Sequence, residues 1–455
     1  MNKRICSLLS VLLFAAFLAL CSTYTPAAEM AVSITAVKVK LEGKDNLPYS
    51  GKFAADFPAG IPISPGSGLS FRGKAEDGSW LFWGVTDRGP GFGVPDSPEG
   101  VRQKVYLSPS FSPSIIGLRY VPGSSELTID KSISLSWKEG KASGLPLPPP
   151  EGKKAEEIAL DENFKALGHD PRGIDSEGIS ASPDGSFWIC DEYRPSLLKA
   201  DSSGTIVKCL EPSRGLPSFL AGRGRNRGFE GVAALPGGQV LAALQSPLSP
   251  GGKPEDFVRF VLHDEGTGVC KTLAYPLEPG LYKDLKAVRI SDLAAVGEGH
   301  VLVLEHGPLA IGPRKRHTAI YLVEWGGASD IAAGHDEKQA EVLSLKTLEE
   351  RGLKSLTKKK LCELPGLSEL HESYAEGMTL VDERTLVVID DSDFGAESCI
   401  ITEDGRRIKG DHKAYTLSNG IISHGGTPSK DRFAIVPAIP HPTVLVLKFS
   451  SPLRK

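Results

Sequence analysis

One unit recurs along the chain: an apolar strand, a turn of Pro, Gly, Asp or Glu, and a second apolar strand. Clear copies run over Asp175–Glu192, Phe229–Ser246, Ser291–His306 and Ala375–Asp391, and a stretched copy covers Gly68–Arg88. Apolar strands on both sides of a short turn are the signature of a β-hairpin. Because a repeated unit decides the whole architecture, these hairpins are the strongest constraint on the fold.

Further apolar strands follow the hairpins. SLLKAD and GTIVKCL complete a four-stranded antiparallel sheet over about 176–210, and similar strands follow the other copies. Such repeated sheets predict an all-β fold, a β-propeller, whose blades pack around a central channel. We find five clear blades and expect about six or seven four-stranded antiparallel blades, with Val105–Trp137 supplying another and the chain ends closing the ring. A β-sandwich or two smaller barrels are alternatives, but neither requires this repeat.

Residues 1–28 have the pattern of a secretory signal peptide. A basic start is followed by an apolar stretch from Leu8 to Leu20 and small residues near Ala28, and the stretch is too short for a membrane span. We therefore expect export to the periplasm or the extracellular space. The residue before Cys21 is bulky, so we do not expect a lipid anchor.

The remaining chain, residues 29–455, is expected to form a single domain. Its length is ample for a large core, and no later segment is long and apolar enough to span a bilayer. The net charge of −4 gives no reason to expect nucleic acid or an anionic membrane as partner. We expect a monomer that acts on a small anionic substrate.

Acids collect at the open ends of the hairpins. The register that the turns imply places these residues opposite one another: Glu177 and Asp191, Glu230 and Gln245, Asp292 and Glu305, and Glu376 and Asp390. Like charges opposite one another on a sheet are destabilising by about 0.2–1 kcal/mol. A repeated arrangement of this kind indicates a cation, a basic ligand or a shared proton, unless the strand ends are polar only because they meet water.

The first strand of each propeller blade lines the channel, so the acids of these strands would ring one mouth. The predicted metal ligands are Glu177, Asp191, Glu192, Glu230, Asp292, Glu305, Glu376, Asp390 and Asp391. Carboxylate oxygens suit a hard cation, and Ca²⁺ is favoured over Mg²⁺ because its coordination is larger and more flexible.

Four arginines lie near these acids. The predicted substrate-binding residues are Arg88, Arg172, Arg194 and Arg227. Planar guanidinium groups suit bidentate phosphate binding. Each arginine is alternatively a salt-bridge partner of a neighbouring acid.

Several segments together resemble the phytase-like family, also called the esterase-like domain of phytase. The matching residues are TDRGPG at Thr86–Gly91, DSEGIS with WICDEYRPSLLK, NRGFEGVAALPGG at Asn226–Gly238, ISDLAAV with LVLEHG, and EGMTLVD followed by VVIDDSDFG. The resemblance runs from about Gly68 to Phe394. It implies an exported propeller-like domain whose acidic residues belong to a site that hydrolyses phosphodiesters or phytate.

These observations predict an exported, Ca²⁺-dependent phosphoesterase. Glu177 or Glu230 would take a proton from water, and Arg88 and Arg194 would stabilise the developing charge. No GxSxG elbow is present. Two alternatives stay open: a propeller lactonase or sugar-acid hydrolase with a Ca²⁺ ion in the channel, and a non-enzymatic envelope protein that serves as a binding platform.

Overall fold

Each recurring hairpin forms the first two strands at an edge of a sheet. The computed structural model describes Met30 and residues 32–312, 316–333, 343–364, 375–410, 412–438 and 441–453. The predicted signal peptide lies outside these residues and stays a prediction, as does the extent of the domain. Within these ranges, no helix has the length and apolar character needed to cross a membrane.

Strands make up most of the described chain. The strands before the second hairpin are β1 (Val32–Lys40), β2 (Gly68–Lys74), β3 (Trp80–Val85), β4 (Gly91–Val94), β5 (Arg102–Tyr106), β6 (Ser114–Tyr120), β7 (Glu126–Ser134), β8 (Ser136–Trp137), β9 (Gly140–Lys141) and β10 (Glu157–Leu160). The strands of the second and third repeats are β11 (Ser176–Ala181), β12 (Phe187–Asp191), β13 (Ser196–Ala200), β14 (Ile206–Pro212), β15 (Gly215–Leu216), β16 (Phe229–Leu235), β17 (Gln239–Leu244), β18 (Phe257–Asp264) and β19 (Cys270–Pro276).

The remaining strands follow in the C-terminal part. They are β20 (Arg289–Ala295), β21 (His300–Pro308), β22 (Arg316–Glu324), β23 (Thr357–Glu363), β24 (Ala375–Asp382), β25 (Thr385–Asp390), β26 (Ala396–Ile401), β27 (Arg407–Lys409), β28 (Tyr415–Ser418), β29 (Ile421–His424), β30 (Thr427–Pro428), β31 (Arg432–Pro437) and β32 (Thr443–Phe449). The helical segments are α1 (Leu345–Glu350) and the 3₁₀ turns Gly43–Asp45, Ser218–Gly222, Pro250–Gly252, Leu285–Ala287 and Asp393–Gly395.

The predicted β-propeller is confirmed, with five blades in the described chain. Blades 1 to 5 are β2-β3-β6-β7, β11-β12-β13-β14, β16-β17-β18-β19, β20-β21-β22-β23 and β24-β25-β32-β1. Their innermost strands contact one another in a closed ring, from β2 through β11, β16, β20 and β24 back to β2. The expected six or seven blades are therefore wrong. The stretch from Val105 to Trp137 adds no blade, because its strands β6 and β7 are the outer strands of blade 1.

The chain ends close the ring, as expected. The N-terminal strand β1 pairs antiparallel with the C-terminal strand β32 from Val32 opposite Phe449 to Lys38 opposite Thr443. The second strands are apolar on both faces because each blade packs between two neighbours; β12, for example, is buried along its whole length. The outermost strand β1 is largely exposed.

Long insertions rise from the mouth side of blades 1 and 5. Because the second strand of each blade ends at the mouth, the connections that follow β3 and β25 extend over that side. The insertion after β3 supplies β4 and β5, and β10, from the connection between blades 1 and 2, pairs with β5 to complete a small sheet. The insertion after β25 contains the sheets β27-β26-β31 and β28-β29-β30. The rings of Phe111 and Phe394 meet edge to face, with their centres 5.5 Å apart, and join the two insertions. They form a wall along one side of the mouth.

The inner strands approach one another so closely at the axis that four of them carry glycine there. The axial positions are Gly68, Gly178, Gly231, Asp292 and Gly377. A Cβ atom on Gly68 would lie 2.7 Å from the Cα of Gly178, and one on Gly377 would lie 2.9 Å from the carbonyl carbon of Gly68. The ring can close only because these positions lack side chains.

The fifth axial residue, Asp292, fills the centre of the ring. Its carboxyl group is fully buried and accepts hydrogen bonds from the backbone N–H groups of Leu293 at 2.8 Å and Met378 at 2.7 Å. The N–H groups of Leu69 and Val232 also bond to it, so one carboxyl group joins four inner strands. Burial raises the pKa of Asp292 well above its ordinary value, and these N–H donors oppose that shift.

Asp292→Asn is expected to destabilise the fold. The amide nitrogen of Asn donates rather than accepts, so part of the axial N–H set would lose its acceptor, at a cost of about 1–3 kcal/mol. Urea unfolding followed by tryptophan fluorescence measures this cost. Asp56→Asn is the control because Asp56 is exposed. Equal unfolding midpoints for both variants would show that the axial carboxyl group does not hold the ring together.

Candidate functional site

A β-bulge at the start of the inner strand shifts the register in four of the hairpins. The pairs in the structure are Ser176 with Asp191, Phe229 with Leu244, Ile290 with Glu305 and Ala375 with Asp390. The register inferred from the turns is therefore wrong, by one residue at Asp191 and Asp390 and by two at Glu305. Each bulge adds one unpaired residue to the inner strand, and the turns of blades 3 and 4 are centred on Gly237 and Glu298, which adds the further shift. The bulged residues are Glu177, Glu230, Ser291 and Glu376. In blade 4 the bulged residue is thus Ser291 rather than Asp292.

Two rings of side chains surround the mouth above the axial ring. The inner ring holds Glu177, Glu230, Ser291 and Glu376, with Ser67 at the corresponding place before β2. The outer ring holds the residues at equivalent positions near the mouth end of the second strand of each blade. They are Asp87, Glu192, Gln245, His306 and Asp391. Carboxyl groups dominate the half of the mouth formed by blades 1, 2 and 5.

Three predicted ligands face away from the mouth because successive side chains of a strand point to opposite sides. Asp191 accepts hydrogen bonds from the backbone of Asp175 at 3.0 Å and the hydroxyl of Ser196 at 2.9 Å. The other two are Glu305, which pairs with Lys358 at 2.9 Å, and Asp390, which accepts from the backbone of Thr443. Together with the axial Asp292, these residues have partners of their own and lie outside the cluster at the mouth.

Arg88 is the buried cation of the mouth and is 4% exposed. Its guanidinium group contacts three carboxyl groups, those of Asp175, Glu157 at 3.5 Å and Glu192 at 3.6 Å. It also lies over the ring of Tyr193, 4.9 Å from the ring centre. Arg88 therefore holds in place acids from blade 2 and from β10, which pairs with β5 of the blade 1 insertion.

Gln245 connects Glu192 to a further acid, Glu230. Its amide nitrogen Nε2 donates to Oε1 of Glu192 at 2.8 Å and to Oε1 of Glu230 at 2.5 Å. Its Oε1 accepts a hydrogen bond from Nη1 of Arg227. Oε2 of Glu230 is buried without a hydrogen-bond partner among the described residues. The amide therefore orients two carboxyl groups and leaves one oxygen of Glu230 free.

Asp175, Glu177 and Glu192 form a candidate metal site. One oxygen from each of these buried residues lies within 4.8 Å of the others. Burial raises the pKa of Glu177 well above its ordinary value, and neighbouring carboxylates, led by Asp175, raise it further. Burial together with Asp175 also raises the pKa of Glu192 to about 7, and Arg88 opposes that shift. The site therefore strongly favours either protons or a bound cation.

Glu376 and Asp391 complete the acidic side of the mouth. Burial and the charge of Asp391 raise the pKa of Glu376 well above its ordinary value. Asp391 is hydrogen-bonded to Glu376, Ser67 and the hydroxyl of Ser64. Its pKa is also raised by burial.

Two of the predicted arginines lie away from the acids. Arg194 lines a neighbouring groove of about 380 Å³, where it pairs with Glu211 at 2.8 Å. Arg172 is on the surface and lies 3.4 Å from Glu139. The structure thus brings Arg88 and Arg227 to the mouth, and leaves Arg172 and Arg194 outside it.

Sequence reasoning missed several residues of the mouth. The sequence could have indicated Asp175 as a site residue, because it stands directly before Ser176 and Glu177 in a recurring hairpin. Glu157 ends a Pro-, Lys- and Glu-rich segment, a composition typical of a solvated loop, yet it is buried and accepts a hydrogen bond from Tyr106 at 2.9 Å. Asn226, whose side chain joins Arg88 to Glu192, opens the segment Asn226–Gly238 that resembles the family, and that position was its signal in the sequence.

Comparisons with known proteins agree with the motifs. The family model for Phytase-like, described as esterase-like activity of phytase, matches residues 67–394. A relative from Arthroderma benhamiae, named as an uncharacterized secreted protein, is 32% identical over 109 residues, which are 18% of this chain and 21% of the relative. This chain therefore matches about a fifth of that relative's length.

Solved structures give weaker likenesses. The virginiamycin B lyase from Staphylococcus aureus is 9% identical, with 92% of this chain and 100% of that chain covered and a TM-score of 0.28. A gluconolactonase from Xanthomonas campestris is 10% identical, with 94% and 99% covered and a TM-score of 0.28. Likeness of this degree carries no argument about fold or function.

The raised pKa values predict a particular pH dependence of stability in chelator. The folded protein holds protons on these acids more tightly than the unfolded chain does, so the free energy of unfolding should fall as pH rises. For Glu192 the window runs from its ordinary value of 4.5 to about 7. Thermal unfolding across this range measures the trend. A stability that rises steadily through the window would contradict it.

Glu177→Gln should stabilise the metal-free protein above this window because it removes one of the crowded charges. Each unit of pKa shift relieved is worth about 1.4 kcal/mol, and the melting temperature should rise by a few degrees. Glu383→Gln is the matched control because Glu383 is exposed in a turn at the other end of a hairpin. A lower melting temperature for Glu177→Gln than for the control would show that Glu177 is not under repulsion.

Proposed function

The chain belongs to the Phytase-like family, and from this premise we propose that it is an exported, Ca²⁺-dependent hydrolase of phosphoric esters. The observation that carries the proposal is the carboxyl group of Glu177. It is 8% exposed, lies beside Asp175 and Glu192, and has no cationic or hydrogen-bonding partner in the described part of the chain. Because an unpaired buried charge is costly, a bound cation is the most direct way to neutralise it.

The spacing of the three carboxyl groups fits a calcium ion. Two oxygens bound to one Ca²⁺ at 2.3–2.6 Å lie at most about 5 Å apart, and the three candidate oxygens are within 4.8 Å of one another. Each carboxylate oxygen has two lone pairs, so Asp175 and Glu192 can bind a cation and keep their contacts with Arg88. A bound Ca²⁺ would polarise phosphoryl oxygens and supply positive charge for the reaction.

Glu230 is the residue that we propose for proton transfer. Its Oε1 is held by Gln245, and its Oε2 is free. Burial and the charge of Glu192 raise the pKa of Glu230 well above its ordinary value, so the side chain holds a proton more readily than an ordinary glutamate, which suits proton transfer. Arg88 is a positioning residue in this scheme, because its guanidinium group is occupied by the acids that it orients.

Export is part of the proposal. The pattern of residues 1–28 supports it, and so does the name of the relative from Arthroderma benhamiae, which describes a secreted protein. N-terminal sequencing of the exported protein is expected to begin near Glu29. An intact Met1 in the exported fraction would contradict a cleaved signal peptide.

A hydrolysis assay tests the activity. Phytate, a bis-phosphodiester and a lactone are each incubated with the protein in Ca²⁺ and in chelator. We expect a phosphoric ester to be hydrolysed in Ca²⁺ and spared in chelator. Cleavage of the lactone alone would favour a lactonase, and Ca²⁺ binding without any hydrolysis would favour a binding platform.

Two variants separate the cation site from proton transfer. Glu177→Gln should weaken Ca²⁺ binding and turnover together, and added Ca²⁺ should partly restore the rate. Glu230→Gln should leave Ca²⁺ binding nearly unchanged and lower turnover by about 10²- to 10⁴-fold, the usual contribution of a general acid or base. Calorimetry measures Ca²⁺ binding, with Glu383→Gln as the control. Wild-type turnover in both variants would show that neither residue takes part in the reaction.

A further inference from the structure

The acidic pattern of the mouth breaks at blades 3 and 4. The outer ring has Gln245 and His306 there instead of the acids Asp87, Glu192 and Asp391. The inner ring has Ser291 at the bulge of blade 4, where the bulges of blades 2, 3 and 5 have glutamate. In the sector formed by blades 3 and 4, the two rings therefore hold a single carboxyl group, that of Glu230.

Two arginines flank this sector. The backbone N–H of Gln245 donates to Gly228 at 2.8 Å, and its carbonyl oxygen accepts from Ile290 at 2.8 Å. Arg227 and Arg289 directly precede these two residues, so they lie on either side of Gln245. Arg227 donates to the Gln245 side chain. The guanidinium group of Arg289 makes no hydrogen bond or close ion pair with any residue that the structure describes, and its charge opposes the rise in the pKa of Glu230.

His306 adds a neutral N–H group to the same sector. It lies opposite Arg289 in the sheet, and its Nδ1 is 2.8 Å from Nη2 of Arg316. Because a guanidinium group only donates, Nδ1 must accept, and the ring proton is on Nε2. Burial and the charges of Arg289 and Arg316 lower the pKa of His306 well below its ordinary value, so the ring stays neutral.

Ser291 gives an independent sign of a ligand. Its side chain is 1% exposed, and its hydroxyl oxygen has no hydrogen-bond partner within the described ranges. Buried hydroxyl groups nearly always have a partner. At the bulge of blade 4 this hydroxyl occupies the place that a mouth-lining carboxyl group has in the other bulged strands.

We infer that Arg227, Arg289, His306 and Ser291 form an oxyanion-binding subsite on this side of the mouth. It deepens the proposed function: the subsite binds the phosphoryl group of the substrate opposite the cation held by Asp175, Glu177 and Glu192. Guanidinium groups, a neutral imidazole N–H and a hydroxyl group are all donors that suit a tetrahedral oxyanion. The acids of the other half would repel the same anion, so the two halves together fix its orientation.

Direct binding of inorganic phosphate to the full mature chain tests the subsite without requiring hydrolysis. Calorimetry is performed in chelator and again in Ca²⁺. We expect phosphate to bind the wild type at millimolar concentration. The variant Arg289→Gln should weaken this binding by about 10- to 100-fold, the range for a lost hydrogen bond to a charged group. Arg289→Lys should recover only part of the affinity because it retains the charge but loses the planar donor pair.

Arg172→Gln is the matched control because Arg172 is on the surface and pairs with Glu139. Its phosphate affinity should equal that of the wild type, and thermal unfolding establishes that each variant is folded. Ser291→Ala gives a second measure and should also weaken binding. Phosphate that fails to bind the wild type, or binds Arg289→Gln as tightly, would overturn the subsite.

These measurements distinguish failure of the oxyanion-binding subsite from failure of the proposed hydrolase function. Phosphate binding that depends on Arg289, in a protein that hydrolyses no phosphoric ester, would refute the proposed function and leave the subsite standing. Ca²⁺-dependent hydrolysis by an Arg289→Gln variant with unchanged phosphate affinity and turnover would refute the subsite and leave the function standing.

Discussion

The bonds between the axial carboxyl group of Asp292 and the backbone of four inner strands are the interaction on which the rest of the structure depends. Innermost strands leave N–H groups unpaired at the axis, and buried donors need an acceptor. With glycine at the other four axial positions, the strands come close enough to share one carboxyl group. The bulges directly above this ring then bring side chains from separate blades to a single mouth.

The mouth concentrates carboxyl groups where their repulsion is strongest. Burial raises the pKa of Glu177, Glu230 and Glu376 well above the ordinary range. Arg88 and Gln245 offset part of this cost by binding several acids each. Charge repulsion that is concentrated at one place and only partly neutralised is typical of a functional site, where residues suited to binding lower the stability of the fold.

The mouth has two halves because the residues at equivalent positions differ between the blades. The same bulge presents glutamate in blades 2, 3 and 5 and serine in blade 4, and the outer ring changes from acid to amide and imidazole over blades 3 and 4. The insertions of blades 1 and 5 build a wall on the acidic side, where Glu157 reaches Arg88. A symmetric scaffold thus carries an asymmetric site, with most of the carboxyl groups on one side and Arg227, Arg289 and His306 on the other.

The sequence by itself determined the hairpins, the propeller and the presence of acids at the open ends, because apolar strands and turn residues are local signals. The tertiary structure decided the blade number, since β6 and β32 join their blades across long insertions. It also decided the site: the register of blade 4 places Ser291 at the bulge and Asp292 at the axis, and strand alternation turns Asp191, Glu305 and Asp390 away. Bulges and partners such as Arg88 with Glu157 depend on packing between distant segments, which no local pattern records.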